Sequence, residues 1–233
     1  MKFLYQYLIA GLFLAACGTG PIYPDVDWLN DWVKSPNAVD ASSDQAPIIA
    51  DPVVNFHLNR GDRTSAIQAG EEWSVGQTFL LGFDVRLDPS SLGQEKITLS
   101  RLTRKGSPAV EIASVQLDAD YGVTVFGRTC IPAAELSKWH RVEMRIKLSD
   151  EDEGYLEVFC DRNPIWARIN MRTNFAPECR YGEGCQTAVT KPERYNWRVG
   201  LMADVPVSQK ISLQMQRLNH RRLYYKPNRV GTL

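Results

Sequence analysis

Hydrophobic and polar residues alternate along most of the chain after residue 52, which is the pattern of half-buried β-strands. In residues 140–148, Val142, Met144, Ile146 and Leu148 lie on one face, and charged side chains occupy the positions between them. Ten segments read as strands: 53–58, 78–87, 96–103, 110–117, 123–126, 140–148, 155–159, 165–169, 197–202 and 211–218. Helical periodicity is nearly absent, with one short turn expected in 132–137. The pattern predicts an all-β fold, with two antiparallel sheets packed as a β-sandwich.

The first 52 residues have a different pattern. Lys2 is followed by a short apolar run, 8–14, and by small residues that end at Cys17, as in a secretory signal. The tetrapeptide Leu14-Ala15-Ala16-Cys17 resembles the bacterial lipoprotein box, which implies that Cys17 carries lipid. An ordinary signal peptide is the alternative. Prolines and glycines interrupt residues 18–52 repeatedly, which is typical of a spacer.

This pattern predicts four parts. They are a lipoprotein signal peptide (1–16), a lipid anchor and flexible tether (17–52), a β-sandwich domain (53–218) and a basic C-terminal tail (219–233). By resemblance to lipoprotein sorting, Gly18 after the cysteine, rather than Asp, indicates the outer membrane. The expected location is therefore the cell envelope, with the membrane as a partner through the lipid.

Composition and charge exclude few classes of function. With 44% hydrophobic and 23% charged residues the chain is typical of soluble domains, and its formal net charge is zero. Near-neutrality provides no global attraction to nucleic acid, so none is expected as a partner. The basic tail is a local exception that can contact acidic glycans or headgroups, or be merely solvated.

The cysteines agree with an exported protein. If Cys17 is lipidated, Cys130, Cys160, Cys179 and Cys185 remain, an even set that reads as two disulfides with three possible pairings. Cys130 and Cys160 each end a strand-like run, and two glycines lie between Cys179 and Cys185. We therefore favour the pairs 130–160 and 179–185.

One stretch resembles a known family. Residues 138–166 begin Lys138-Trp139-His140, turn at Gly154, and resemble the "GKWH" hairpin of heparin-lyase-I-like and related polysaccharide lyases. Looser matches are 56–62 to an early "GD" strand, 76–87 to a "fylp" strand and 196–201 to a late "y.klGiY" strand. The resemblance implies the concanavalin-A-like jelly roll.

The sequence also departs from that family. The lyases carry an R-x-E after the first strand and a Q-x-H in the strand that follows "fylp". Here that strand reads Ile97-Thr98-Leu99-Ser100-Arg101-Leu102, with neither glutamine nor histidine, and no R-x-E is visible. The resemblance therefore supports the scaffold better than the activity.

β-Elimination on a uronic acid polysaccharide needs a group that neutralises the carboxylate, a base and an acid. The candidates for these roles are Arg101, His57 and Tyr195, provided that they meet in one groove. His57 is predicted to lie opposite Phe56 and Leu58, where it lines a concave sheet or is simply solvated. Of the other two histidines, His140 is expected to pack and His220 to be exposed.

Aromatic and basic residues in the last third of the chain suggest a ligand site, because aromatic rings stack on sugars and arginines bind acidic groups. The candidates are Tyr181, Arg194, Trp197 and Arg198. The alternative places Trp197 in the core and the arginines on a solvated face. No cofactor or metal is expected. Calcium at the acidic turn 150–153 is a weak alternative, because that turn lacks the usual ligand spacing.

Together these observations favour an envelope-anchored lipoprotein that binds polysaccharide on a lyase-like β-sandwich without catalysis. A polysaccharide lyase and a structural or adhesive lipoprotein that contacts protein remain as alternatives.

Overall fold

The computed structural model describes residues 39–40, 42–50, 52–69, 75–104, 110–149, 151–171 and 195–223. Within these residues the chain forms thirteen strands and two short 3-10 turns, Pro89–Ser91 and Ala133–Glu135. The strands are β1 (Ile48–Ala50), β2 (Val53–Leu58), β3 (Thr64–Gln68), β4 (Thr78–Leu87), β5 (Ile97–Arg104), β6 (Val110–Asp118), β7 (Gly122–Val125), β8 (Arg128–Ile131), β9 (His140–Lys147), β10 (Gly154–Cys160), β11 (Asn163–Met171), β12 (Tyr195–Ala203) and β13 (Ile211–Leu223).

The strands form two sheets in which every pair is antiparallel. The seven-stranded sheet has the order β1-β2-β13-β4-β9-β10-β11, and the six-stranded sheet has the order β3-β12-β5-β6-β7-β8. Strands that are neighbours in the chain often lie in different sheets, as β4 and β5 do. This is the jelly-roll form of a β-sandwich, and the predicted fold class is confirmed.

All ten predicted strands are present, and the expected turn in 132–137 is the second 3-10 turn. The sequence pattern missed β1, β3 and β8, which have only three to five residues each. The folded unit also extends beyond the predicted domain limits. Strand β1 pairs with β2 although it lies in the predicted tether, and β13 continues to Leu223, past residue 218.

The core lies between the two sheets and is built from the inward side of each alternating strand. Phe56, Leu81, Phe83 and Trp197 are fully buried there, together with Val142, Met144, Ile146 and Leu148 of the alternating segment. The charged positions of β9 lie on the outward face, as predicted from the two-residue period.

Strands β12 and β3 approach each other closely at Gly200. The backbone of Gly200 has φ of 141°, and a Cβ there would lie 2.7 Å from the Cα of Ala66. The pairing of β12 with β5 is irregular between Val199 and Met202. Only glycine allows both the conformation and the approach, so this bulge depends on Gly200.

The predicted Cys130–Cys160 disulfide is present, with 5.5 Å between the two Cα atoms. It joins β8, at the edge of the six-stranded sheet, to the end of β10 in the seven-stranded sheet. The bond therefore links the two layers covalently. Cys179 and Cys185 lie outside the described residues, and so do the signal sequence and Cys17. In the part of the chain that the structure covers, no helix is long and apolar enough to cross a bilayer.

Candidate functional site

The outward surface of the six-stranded sheet carries a row of polar side chains. Gln68, Arg198, Arg101 and Ser114 are consecutive cross-strand partners on β3, β12, β5 and β6. Directly opposed residues of an antiparallel pair share a face, so these four side chains lie side by side. A second row consists of Thr64, Met202, Thr98, Gln116 and Thr124. Met202 is apolar, and Met202 and Thr98 are only 4% and 6% exposed. We call these two rows the polar face.

Arg198 is held by the segment that precedes the first strand. Its Nη2 atom forms an ion pair with Asp40 Oδ2 and donates to Ser42 Oγ at 3.0 Å. The Asp40 residue is only 8% exposed, and its backbone N–H donates to the carbonyl of Ala66. The guanidinium of Arg198 is therefore already matched by a carboxylate of the same chain.

Residues 39–40 and 42–45 lie along the free edge of β3. Asp44 Oδ2 accepts hydrogen bonds from the backbone N–H groups of Arg63 at 2.6 Å and Thr64 at 3.0 Å. These bonds stabilise the charged form and lower the pKa of Asp44 below its usual value. Because this segment occupies the edge, it covers the unpaired backbone groups of β3.

Carboxylates of the same chain also pair with the guanidinium group of Arg101. Its Nε atom lies 3.0 Å from Glu111 Oε2, and its Nη2 atom lies 3.8 Å from Asp204 Oδ1 and 3.3 Å from Thr98 Oγ1. With Asp40, three carboxylates surround the two guanidinium groups of the polar face. The arginines are half-buried, so each still offers N–H groups to a ligand, but neither supplies an unmatched positive charge.

Two predicted site residues lie in the core instead. Tyr195 and Trp197 are both 0% exposed, and the indole Nε1 donates to Ser100 Oγ at 2.7 Å. A ring enclosed on all sides cannot stack on a sugar, so the structure does not support a ligand contact by Trp197 or a catalytic role for Tyr195. The physical reason is the strand period, which turns residues 195, 197 and 199 inward while Asn196 and Arg198 point outward.

His57 lies on the other sheet. It is the cross-strand partner of Ser212 on the outward surface of the seven-stranded sheet, beside Arg86 in a groove of about 660 Å³. His57, Arg101 and Tyr195 therefore do not converge: one lies on each outer surface and one lies between the sheets. The condition that these three candidates meet in one groove is therefore not fulfilled in the described structure.

The remaining histidines have structural surroundings. His140 Nδ1 lies 2.7 Å from Asp161 Oδ2, and its Nε2 lies 3.0 Å from the carbonyl of Glu135, which ties the start of β9 to the hairpin after β10. His220 is half-buried near the end of β13 and also has a partner. Tyr181 and Arg194 lie outside the described residues.

Among the residues that the structure places, no group of three or more His, Cys, Asp or Glu side chains is arranged to hold a metal ion. The acidic turn 150–153, considered above for calcium, is described from residue 151 onward. Glu153 in this turn forms an ion pair with Lys147 at 2.9 Å.

Several residues in the polar face and beside it were not identified from the sequence. Asp40 and Ser42 lay in the predicted tether, and no local pattern connects them to Arg198, which is more than 150 positions away. Thr98 and Gln116 are ordinary polar positions of alternating strands, and only the pairing of the strands aligns them. The alternation of hydrophobic and polar residues in β5 and β6 indicated that Thr98 and Gln116 face outward, and it was the information that the sequence offered about them.

The polar face can donate and accept hydrogen bonds through amides, hydroxyls and guanidinium groups. Within the described strands of the six-stranded sheet, its two rows contain no histidine or tyrosine. Such a surface is suited to the hydroxyl groups of a ligand.

Comparison with solved structures identifies the fold. The chain is similar to an endo-β-1,4-glucuronan lyase from the fungus Trichoderma reesei, with a TM-score of 0.59 and 13% identity over 83% of this chain and 92% of that one. An alginate lyase from a Chlorella virus has a TM-score of 0.56 and 10% identity, over 84% and 97% of the two chains. An alginate lyase of polysaccharide lyase family 7 has a TM-score of 0.52 and 9% identity, over 78% and 84%.

At these identities the likeness shows the fold, which these structures share along most of their length. No family model matches the sequence. No curated protein matches it either.

Proposed function

We propose that this protein binds polysaccharide on the polar face and does not cleave it. The observation that carries the proposal is the polar face itself, a two-row surface of amide, hydroxyl and guanidinium groups, interrupted by Met202, on a polysaccharide-lyase fold. Hydrogen-bonding side chains aligned along strands suit an extended chain that presents hydroxyl groups at regular intervals.

The resemblance to the lyases supports this choice of surface. The strand that would carry their Q-x-H is β5, and the strand that resembles "y.klGiY" is β12. Both belong to the six-stranded sheet, where they are direct neighbours. Thr98 and Arg101 thus lie on the strand that corresponds to the Q-x-H strand of the lyases, and Arg198 lies on the strand beside it.

The charges of the polar face argue against elimination. A lyase must neutralise the carboxylate of a uronate so that the adjacent proton becomes acidic, which needs a cation or a strong donor. Here Asp40, Glu111 and Asp204 already surround Arg101 and Arg198, and they repel an incoming carboxylate. The preferred ligand is therefore a hydroxyl-rich chain of low negative charge.

A direct assay separates binding from cleavage. We expect incubation of the full chain with β-1,4-glucuronan or alginate to produce no rise in the ultraviolet absorbance of unsaturated uronates. A sustained rise that disappears in Arg101→Gln would show that the protein is a lyase, and it would overturn the non-catalytic proposal.

A matched pair of variants tests the surface. We expect Arg101→Gln to weaken binding of cello-oligosaccharides by about tenfold, because a hydrogen bond from a charged group is lost. Arg145→Gln is the control, because Arg145 forms a similar ion pair with Glu157 at 3.0 Å and has similar exposure, but lies on the other sheet. Equal affinities of the two variants and the wild type, measured by calorimetry, would exclude the polar face as the site.

We further propose that Cys17 carries lipid and that residues 18–38 connect the membrane to the sandwich. This rests on the resemblance of residues 14–17 to the lipoprotein box and on the even number of remaining cysteines. Fatty-acid labelling in a bacterial host should mark the wild type and leave Cys17→Ser unlabelled. Labelling of both proteins, or of neither, would contradict the proposal.

A further inference from the structure

A second surface of the molecule has the features of a ligand site. The groove of about 660 Å³ that contains His57 lies on the outward side of the seven-stranded sheet, at the end where β2, β13 and β4 run side by side. Its polar lining includes Asn55, His57, Arg86, Lys210, Ser212 and Gln214. We call it the His57 groove, and its volume is in the usual range of small-molecule sites, about 300–1,000 Å³.

Arg86 is held in a defined position within this groove. Its Nε atom donates to Gln214 Oε1 at 2.6 Å, and Gln214 Nε2 donates in turn to Asn55 Oδ1 at 2.9 Å. The guanidinium carbon also lies 4.6 Å from the ring centroid of Trp139. This hydrogen-bonded row crosses three strands and fixes the guanidinium plane before any ligand arrives, which reduces the entropy cost of binding.

Unlike Arg101 and Arg198, Arg86 forms no ion pair with a carboxylate among the described residues. Among the described residues, no carboxylate lies within ion-pair distance of Arg86 or of Lys210, which is exposed at the rim. The rim also contains Asp88, whose carboxylate accepts hydrogen bonds from the hydroxyl and the backbone N–H of Ser90 at 2.8 and 2.9 Å. These bonds lower the pKa of Asp88. Two cations therefore face one engaged carboxylate.

The rest of the lining is suited to a sugar. His57 and Ser212 are cross-strand partners that present an imidazole and a hydroxyl to the same space. Ile48 forms an apolar edge that is 58% exposed, whereas Leu87 and Leu213 border the groove with side chains that are buried in the core. Sugar rings have apolar C–H faces and polar rims, so a groove with both kinds of surface fits one ring.

We propose that the His57 groove binds a uronate unit of an acidic polysaccharide, with the sugar carboxylate on Arg86 and Lys210 and the hydroxyls on His57, Ser212 and Gln214. Arginine binds carboxylates through two parallel hydrogen bonds, which makes the planar, positioned guanidinium of Arg86 the main anchor. This site lies on the opposite side of the sandwich from the polar face and does not depend on it. The protein thus contacts uncharged and acidic chains through different sheets.

The test compares two ligands that differ mainly at one carbon. β-1,4-Glucuronan oligosaccharides and cello-oligosaccharides of equal length share their linkage, but only the former carry carboxylates. We expect the full chain to bind both ligands. In Arg86→Met the affinity for the glucuronan oligosaccharide should fall by about tenfold or more, while the affinity for the cello-oligosaccharide is unchanged. Lys210→Met, a change at an exposed side chain, should produce a smaller loss of the same kind.

Lys147→Met is the matched control, because it removes one positive charge from the same sheet outside the groove lining. The ring resonances of His57, assigned with His57→Asn, should shift in NMR spectra when glucuronan oligosaccharide is added to the wild type, but not to Arg86→Met. Equal glucuronan affinity in all these variants would overturn the proposal. Displacement by inorganic phosphate at a similar concentration would also overturn it, since that indicates a general anion site. If Arg101→Gln loses cello-oligosaccharide binding and the other variants keep it, that result tests the polar face and not the His57 groove.

Discussion

The indole of Trp197 is the side chain whose replacement tests the architecture most directly. In Trp197→Phe the aromatic ring remains, but the Nε1–H that donates to Ser100 Oγ at 2.7 Å is removed. Both residues are fully buried, so no water replaces the lost donor. The variant therefore has a buried hydroxyl without this partner and a small cavity beside it.

The two effects determine the expected size of the change. A buried polar group that loses its partner costs about 1–3 kcal/mol. The smaller ring adds a cavity term, so we expect a loss of about 2–4 kcal/mol, below the cost of about 3–5 kcal/mol for truncation to alanine. Such a loss is a large fraction of the stability of a typical domain, about 5–15 kcal/mol.

Urea unfolding, followed by tryptophan fluorescence and circular dichroism with the disulfide intact, measures this loss. The urea midpoint should be lower in Trp197→Phe. The slope of the unfolding free energy against urea concentration should stay constant, because the surface exposed on unfolding hardly changes. Ser100→Ala and the double variant complete a cycle. The double variant should be more stable than the sum of the two single effects implies, by about 1 kcal/mol or more.

Two results would refute this reasoning. Additive effects in the cycle, within about 0.5 kcal/mol, would show that the indole and the hydroxyl do not interact. A tenfold loss of cello-oligosaccharide affinity in fully folded Trp197→Phe would show that the ring contacts ligand, as the sequence pattern suggested. We expect unchanged affinity, because the ring lies inside the core.

Three further predictions concern stability. Replacing Cys130 and Cys160 together by alanine should lower the free energy of unfolding by about 3–4 kcal/mol, since the bond closes a loop of 30 residues, and an unchanged urea midpoint under oxidising conditions would contradict this. Burial acts to raise the pKa of Asp161, but the hydrogen bonds from His140 and from the backbone N–H of Arg141 in β9 outweigh it, so the pKa lies below its usual value. A carboxyl group whose pKa is lower in the folded state stabilises the fold at any pH above its pKa in the unfolded state. This contribution is lost as the pH falls through its pKa in the folded state. Asp161→Asn, which tolerates the φ of 48°, should therefore reduce stability at neutral pH and flatten its decline below about pH 4, and an equally steep acid transition would argue against it. Changing Asp84 to alanine should lower the free energy of unfolding by about 1–3 kcal/mol, because Arg141, 14% exposed, loses a carboxylate partner that is 2% exposed, whereas Arg217, 59% exposed, stays solvated. A thermal shift as small as that of an exposed carboxylate such as Glu153→Gln would exclude this network as a stabilising one.

The sequence by itself determined the architecture and much of its detail. Alternation with a period of two is a local property, so residues 140–148 alone predicted which side chains of β9 are buried and which are charged and exposed. Of the three possible pairings of the four cysteines, the sequence favoured Cys130–Cys160, which the structure contains, although the strand β8 that carries Cys130 was not identified. The short strands β1, β3 and β8 escaped because three to five residues carry too little pattern.

Only the tertiary structure decided which polar residues meet. Strand order depends on the packing of whole sheets, and it placed β12 between β3 and β5, so that Arg198 lies beside Arg101 and opposite Asp40. The same packing separated His57 from both arginines by the full thickness of the sandwich. The period of a strand states that a side chain points outward, but not from which sheet or toward which partner. The balance of charge on each outer surface is therefore a property of the assembled sheets.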